Sequence, residues 1–208
     1  MARSKSSNKW LREHFNDEYV KRSRQEGYRS RAVYKLAEIQ DKDRIIRPGM
    51  VIVDLGAAPG SWSQYVSRVA GKSCQIIAMD LLDMEPLPGV EFIQGDFCEE
   101  SVLKDLLAAL DGKRVDLVMS DIAPNMSGVD AVDIPRSMYL AELAVDFSRQ
   151  VLQPGGGLLM KVFQGEGFDE LVRDLRDKFQ RVVIRKPKAS RPRSREVYAL
   201  ATKFTYNE

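Results

Sequence analysis

Asp80, Asp96 and Asp121 each close a short apolar run, and the run ending at Leu55 opens into a string of small residues, Gly56, Ala57, Ala58, Pro59 and Gly60. Small residues after a strand let a ligand touch backbone, and an acid some twenty residues further on is placed to accept hydrogen bonds from ribose hydroxyls. Asp80 stands at about that distance from Gly56. The turn is not a dinucleotide GxGxxG: Ala58 replaces a glycine, and Pro59 lacks a backbone donor that a pyrophosphate would use. Hydride transfer is therefore disfavoured. Asp54, Asp80 and Asp96 form a line of carboxylates at three strand ends, with Asp121 another at the fourth. Such a line repels phosphates but suits an adenosine carrying a sulfonium and an ammonium, which points to S-adenosylmethionine as cofactor. Trp62, two residues beyond Gly60, either borders that cofactor or packs on the sheet, and Asp54 either bonds the turn or touches ligand.

Lys161 interrupts the apolar run LLMKVF, where a strand should be buried. A buried lysine is costly unless paired, and Asp121 on the preceding strand is its natural partner. Methylases of exocyclic amines carry Asn/Asp-Pro-Pro-aromatic at that strand end, and residues 121–124 lack the second proline and the aromatic residue. Carbon methylation through a cysteine adduct is poorly supported, because neither Cys74 nor Cys98 follows a proline after this strand. An oxygen nucleophile remains, with Lys161 either its general base or the cation that orients it.

These groups need a scaffold that brings strand ends together. Residues 51–55, 75–80, 91–96, 115–121 and 157–163 read as buried parallel strands. Helical stretches separate them, over 62–69, 102–110, 134–152 and 168–179, giving the βαβ rhythm of a doubly wound sheet. Residues 181–186 and 196–202 follow with no helix between them, so an antiparallel pair closes the sheet. A further helix is expected over 30–40, before the turn at Arg47, Pro48 and Gly49.

At 208 residues, 44% hydrophobic and 30% charged, the chain suits a single globular domain over 1–208 with a basic N-terminal arm and helix at about 1–47. No apolar run approaches the ~20 residues of a membrane span, and a cytoplasmic protein is expected. Two cysteines and one histidine, His14, support neither a metal site nor a disulfide scaffold. The net charge of +2 conceals a strong polarity: residues 1–35 sum to +6, residues 181–195 hold seven basic groups and no acid, and residues 36–180 sum to −10. Two basic clusters flanking an acidic middle favour a polyanion, with nucleic acid the leading candidate. Arg22, Arg24, Arg29 and Arg31, with Lys186, Lys188, Arg191 and Arg193, are expected to form one phosphate-binding surface.

The segments VDLGAAPGSWSQY, SDIAPNMSG, DIPRSMYL, KVFQGEGFDE and RKPKASRPRSREVY together resemble the RrmJ/FtsJ-type RNA ribose 2′-O-methyltransferases, over about Trp10 to Thr202. The resemblance implies a class I methyltransferase (Rossmann-like) α/β fold, with a seven-stranded, mostly parallel sheet, one antiparallel strand and helices on both faces. It implies a catalytic Lys35, Asp121, Lys161 and Glu196, and S-adenosylmethionine held by Gly60, Trp62, Asp80, Asp96 and Asp121. It also implies the substrate, a uridine ribose in the A loop of 23S ribosomal RNA on the 50S subunit, and a monomer is expected. A transfer-RNA or cap 2′-O-methyltransferase, or a noncatalytic RNA-binding assembly factor, are the rival readings. At Ser61 the chain departs from the family's pattern, which has a second glycine before the tryptophan.

Overall fold

The structure, a computed structural model, describes residues 17–205. Most of the basic arm, residues 1–16 with His14, lies outside the described residues. Two helices lead in, α1 (Glu18–Gln25) and α2 (Val33–Asp43), followed by β1 (Val51–Leu55), α3 (Ser61–Ala70), β2 (Gln75–Asp80) and β3 (Val90–Gln94). Next come α4 (Glu100–Leu110), β4 (Val115–Ser120), α5 (Asp130–Val151), β5 (Leu152–Phe163), α6 (Phe168–Lys178), β6 (Phe179–Arg185) and β7 (Glu196–Phe204).

The strands form one seven-stranded sheet in the order β3-β2-β1-β4-β5-β7-β6. The pairs β1/β2, β1/β4, β2/β3 and β4/β5 are parallel, and β7 runs antiparallel to both β5 and β6. The antiparallel strand is therefore inserted between β5 and β6 instead of closing the sheet at its edge. Alternation along each strand sends Leu55, Met79, Val118 and Met160 to one face, against Leu106 of α4, Ala144 of α5 and Leu175 of α6. Ile52, Met119, Leu159 and Leu200 go to the other face, against Leu36 of α2 and Val66 of α3.

Element ends differ from the sequence expectation where polar bonds override the apolar pattern. Helix α5 begins at Asp130 instead of 134, because the buried Asp133 carboxylate accepts from the Ser127 and Gly128 backbone N–H groups at 2.8 and 2.9 Å and winds the preceding loop onto the helix. Strand β5 begins at Leu152 instead of 157, with an irregularity in its pairing between Val115 and Leu117. Helix α2 runs three residues later than expected at both ends.

Two consequences position the site. Chain order reverses between β1 and β4, which opens a crevice at their carboxyl ends. Helix α2 is also fastened to the β6–β7 region: Asp43, almost wholly buried, pairs with Arg185 at 2.8 Å, and Glu38 accepts from the Lys188 backbone N–H at 2.7 Å. No helix among the described residues is long and apolar enough to cross a membrane.

Candidate active site

The crevice holds a cavity of about 430 Å³ lined by Asp80, Asp96 and Asp121, so these three strand-end carboxylates converge, while Asp54 stays out of its wall. Asp80 accepts from the Ala58 N–H at 2.9 Å and the Leu82 N–H at 2.8 Å, binding the turn after β1 to the loop after β2. Asp96 accepts from the Cys98 N–H at 2.9 Å. Phe97, Ile122 and the exposed Leu81 and Leu82 supply apolar wall, and among the described residues no lysine or arginine lines the cavity. Gly56 is required where the first turn touches the turn after β4: a Cβ there would lie 2.9 Å from the Ile122 nitrogen, and its φ is +75°.

Gly60 and Trp62 do not line this cavity. Gly60 has φ +99°, and a Cβ would meet Met84 Sδ at 2.7 Å and Arg29 Nη1 at 2.9 Å, so the missing side chain makes room for neighbouring groups. Trp62 is buried, donates its indole N–H to the Ala32 carbonyl at 2.9 Å, and packs its ring 5.8 Å from that of Tyr198. Ser61, where the family's pattern has glycine, is buried and accepts from the Ser30 hydroxyl at 2.8 Å. The start of α3 is thus stitched to the segment leading into α2.

Asp54 has no exposed surface and does not line the cavity. Ser63 donates its hydroxyl to Oδ2 at 2.6 Å, while Oδ1 has no partner among the described residues. Burial pushes its carboxyl up to about 7; the Ser63 hydroxyl opposes this, and the neighbouring Asp121 and Asp80 add to it.

A second cavity of about 410 Å³ adjoins the first, with Ala123 in the wall of both. Lys35, Lys161 and Glu196 line it, joined by Arg191. Strand pairing explains the assembly. Lys161 stands opposite Tyr198 and Phe163 opposite Glu196, so Lys161, Tyr198 and Glu196 share one sheet face, the face that α2 covers. Lys161 Nζ donates to the Asp121 main-chain oxygen at 2.5 Å and to its Oδ1 at 3.1 Å. The Tyr198 hydroxyl donates to the same Oδ1 at 2.7 Å. Lys35 pairs with Glu196 at 2.8 Å, Glu196 also accepts from the Ser190 hydroxyl at 2.8 Å, and Lys35 Nζ lies 5.6 Å from the Tyr198 ring centre. Burial works against an ionised Asp121, but Lys161, Lys35 and the Tyr198 hydroxyl outweigh it and hold its carboxyl below the ordinary range. The same surroundings act oppositely on Tyr198, whose phenol burial and Asp121 push well above its usual value.

Lys35, Asp121, Lys161 and Glu196 are therefore brought into one cluster, with Tyr198 at its centre. Tyr198 was not singled out in the sequence; its signal is its position two residues after Glu196, on the same strand face. The expected phosphate surface divides. Arg29 donates to the Pro59, Glu85 and Pro86 carbonyls, Arg31 bonds Asp17 and the Ala189 carbonyl, and Lys186 bonds the Ser194 and Glu196 carbonyls. These three tie neighbouring segments together at the surface, and Arg22 is paired with Glu26 at 2.7 Å. Among the described residues no group of three His, Cys, Asp or Glu is placed to hold a metal.

A sheet of this order, with helices on both faces and a carboxylate-lined crevice where the strand order reverses, defines a class I methyltransferase fold. The chain belongs to the FtsJ-like methyltransferase family, whose model matches residues 28–204. It is 61% identical to the ribosomal RNA large subunit methyltransferase E of Hydrogenovibrio crunogenus, over 97% of this chain and 98% of that one. It is 58% identical to the protein of the same name from Cellvibrio japonicus, over 98% and 97%. Among solved structures it resembles one described as a ribosomal RNA methyltransferase from Plasmodium falciparum, with TM-score 0.78 and 32% identity, over 86% of this chain and all of that one.

Proposed function

We propose that this methyltransferase transfers a methyl group from S-adenosylmethionine to the ribose 2′-hydroxyl of a uridine in 23S ribosomal RNA, in the A loop of the large subunit. One observation carries the reading: Lys161, bonded to an Asp121 that Tyr198 also holds, lines a pocket with Lys35 and Glu196, and that pocket shares Ala123 with the cavity that Asp121 lines. The names of the curated relatives supply the ribosomal RNA, and the sequence resemblance supplies the nucleotide.

The first cavity suits the cofactor. Its volume lies within the range of small-molecule sites, its apolar walls suit an adenine, and its carboxylates suit ribose hydroxyls and cationic groups. With no lysine or arginine among the described residues of the wall, a pyrophosphate would find no counter-ion there. Asp80, Asp96 and Asp121 would hold the ligand directly, and Gly60 and Trp62 would act through the turn they shape. When bound, S-adenosylmethionine supplies an electrophilic methyl group on a positively charged sulfur.

A ribose hydroxyl is a weak nucleophile at neutral pH, so it must be held in line and must lose its proton. Asp121 occupies two donor positions of Lys161, which leaves one facing the pocket for the ribose oxygen. As an ammonium, Lys161 steadies the oxygen while charge develops; as an amine, it takes the proton. Tyr198 fixes Asp121, and with it Lys161. Glu196 holds Lys35 at the pocket wall, where its cation can meet the ribose or the adjoining phosphate. We place the protein in the cytoplasm, working as a monomer on the 50S subunit without a metal.

Radiolabelled methyl transfer to undermethylated 50S subunits, free ribosomal RNA and transfer RNA tests the reading. Label is expected on 50S subunits and, after digestion, in 2′-O-methyluridine. Label confined to transfer RNA would reassign the substrate, and no label on any RNA would leave a noncatalytic binding factor.

A further inference from the structure

A third, smaller cavity of about 190 Å³ opens beside the reaction pocket and shares Met126 and Phe163 with it. Ile134 adds to its apolar wall, and Arg193, Arg195 and Asp130 add charged groups. Nothing in the transfer of the methyl group uses it. The loop that carries Met126 is pre-set: Asp133 accepts from the Ser127 hydroxyl and backbone and from the Gly128 backbone. Met126 is nevertheless 54% exposed, an apolar side chain held in the open at the mouth of a charged pocket.

We propose that this pocket holds the nucleobase next to the methylated nucleotide in the RNA chain; the inference rests on the RNA-ribose reading given above. The two cavities are continuous through Met126 and Phe163, so a strand whose ribose sits in one leads its neighbour into the other. Sequence-specific proteins take single-stranded RNA with its bases splayed out, stacked on aromatic rings and arginine planes. Phe163, Met126 and Ile134 offer the apolar surface. Arg191 lines the reaction pocket and Arg193 and Arg195 the neighbouring one, so a single basic segment borders both. Arg195 pairs with Asp130 at 3.0 Å, but both side chains are more than half exposed, and such a pair yields readily to a phosphate.

The test pairs a deletion in the RNA with a deletion in the protein. Large subunits are reconstituted with ribosomal RNA that is abasic immediately 5′ or 3′ of the target, and methylation is measured at saturating cofactor. With the wild-type protein, one of the two abasic positions is expected to raise KM for subunits roughly tenfold, the scale of losing one stacked base. Met126→Ala and Arg195→Ala are expected to raise KM on intact subunits and to be insensitive to that same abasic position. Both replace exposed side chains, and unchanged cofactor affinity by calorimetry checks that they fold. If RNA and protein effects multiply independently at both positions, or if neither abasic position changes KM, the pocket binds no base and the proposal fails. Variants that lose affinity for subunits with and without the base alike would point to a protein or backbone contact and would overturn it too. If the wild-type protein methylated no RNA, the function reading would fall and the pocket with it.

Discussion

Asp54 permits a prediction whose direction follows first from burial. Its carboxyl is raised from an ordinary 3.8 to about 7, so between roughly pH 4 and pH 7 the folded state keeps a proton that the unfolded chain has released. More protons bound when folded means that stability falls as pH rises across that window. A shift of about three units at 1.36 kcal/mol each makes the whole loss ~4 kcal/mol. Asp54→Asn removes the titration and keeps an oxygen to accept from Ser63. Its amide N–H groups would face the same partnerless position as Oδ1, a cost of ~1–3 kcal/mol that does not vary with pH. Urea unfolding of both proteins at pH 5, 6, 7 and 8 separates the two effects. The variant is expected to gain on the wild type by ~2.3 kcal/mol between pH 5 and pH 7, and by only ~0.4 kcal/mol more by pH 8. All other titrating groups are common to both proteins and cancel. If the two stability curves run parallel, Asp54 is ionised in the folded protein and the reasoning from its buried, half-satisfied carboxyl is wrong.

Lys161→Ala should abolish turnover on 50S subunits and leave cofactor affinity nearly intact; near-normal turnover would show that the active site lies elsewhere. Lys161→Arg keeps a cation that cannot deprotonate, so it should be as inactive as alanine if Lys161 is the base and partly active if Lys161 only orients the hydroxyl. Asp80→Ala should weaken S-adenosylmethionine binding by ~1–3 kcal/mol, the scale of lost hydrogen bonds to a charged group, as read by calorimetry. Tyr198→Phe keeps the ring against Trp62 and deletes only the donor to Asp121; it should lower kcat by about tenfold or more, with cofactor affinity little changed.

Strand ends were legible in the sequence because the apolar runs at 75–80, 91–96 and 115–121 each stop at an aspartate, which puts Asp80, Asp96 and Asp121 on one edge of a parallel sheet. Lys161 was legible for the complementary reason, a charge inside an apolar run. Trp62 was not: a tryptophan near the start of a helix can face ligand or core, and the bond that settles it, to Ala32, crosses thirty residues of sequence. Composition records the charge of Arg29, Arg31 and Lys186 and not their partners; the fold also bonds each of them to main-chain carbonyls.

Tyr198 shows where the limit lies. Glu196 and Tyr198 alternate with apolar residues as any half-buried strand does, and nothing local distinguishes a tyrosine that packs from one that also holds Asp121. The distinction arises from register. Because β7 is inserted antiparallel against β5, Tyr198 falls opposite Lys161, and a shift of one residue would turn it to the other face of the sheet. The sequence pairs β7 with β6 by adjacency, and that pairing exists, but the pairing that builds the site is with β5, whose last residue is more than thirty positions away. The same insertion sets Glu196 opposite Phe163, between the reaction pocket and α2, so that Lys35 has a carboxylate to meet. One strand in an unexpected place thus supplies the carboxylate that anchors Lys35 and the hydroxyl that steadies Asp121.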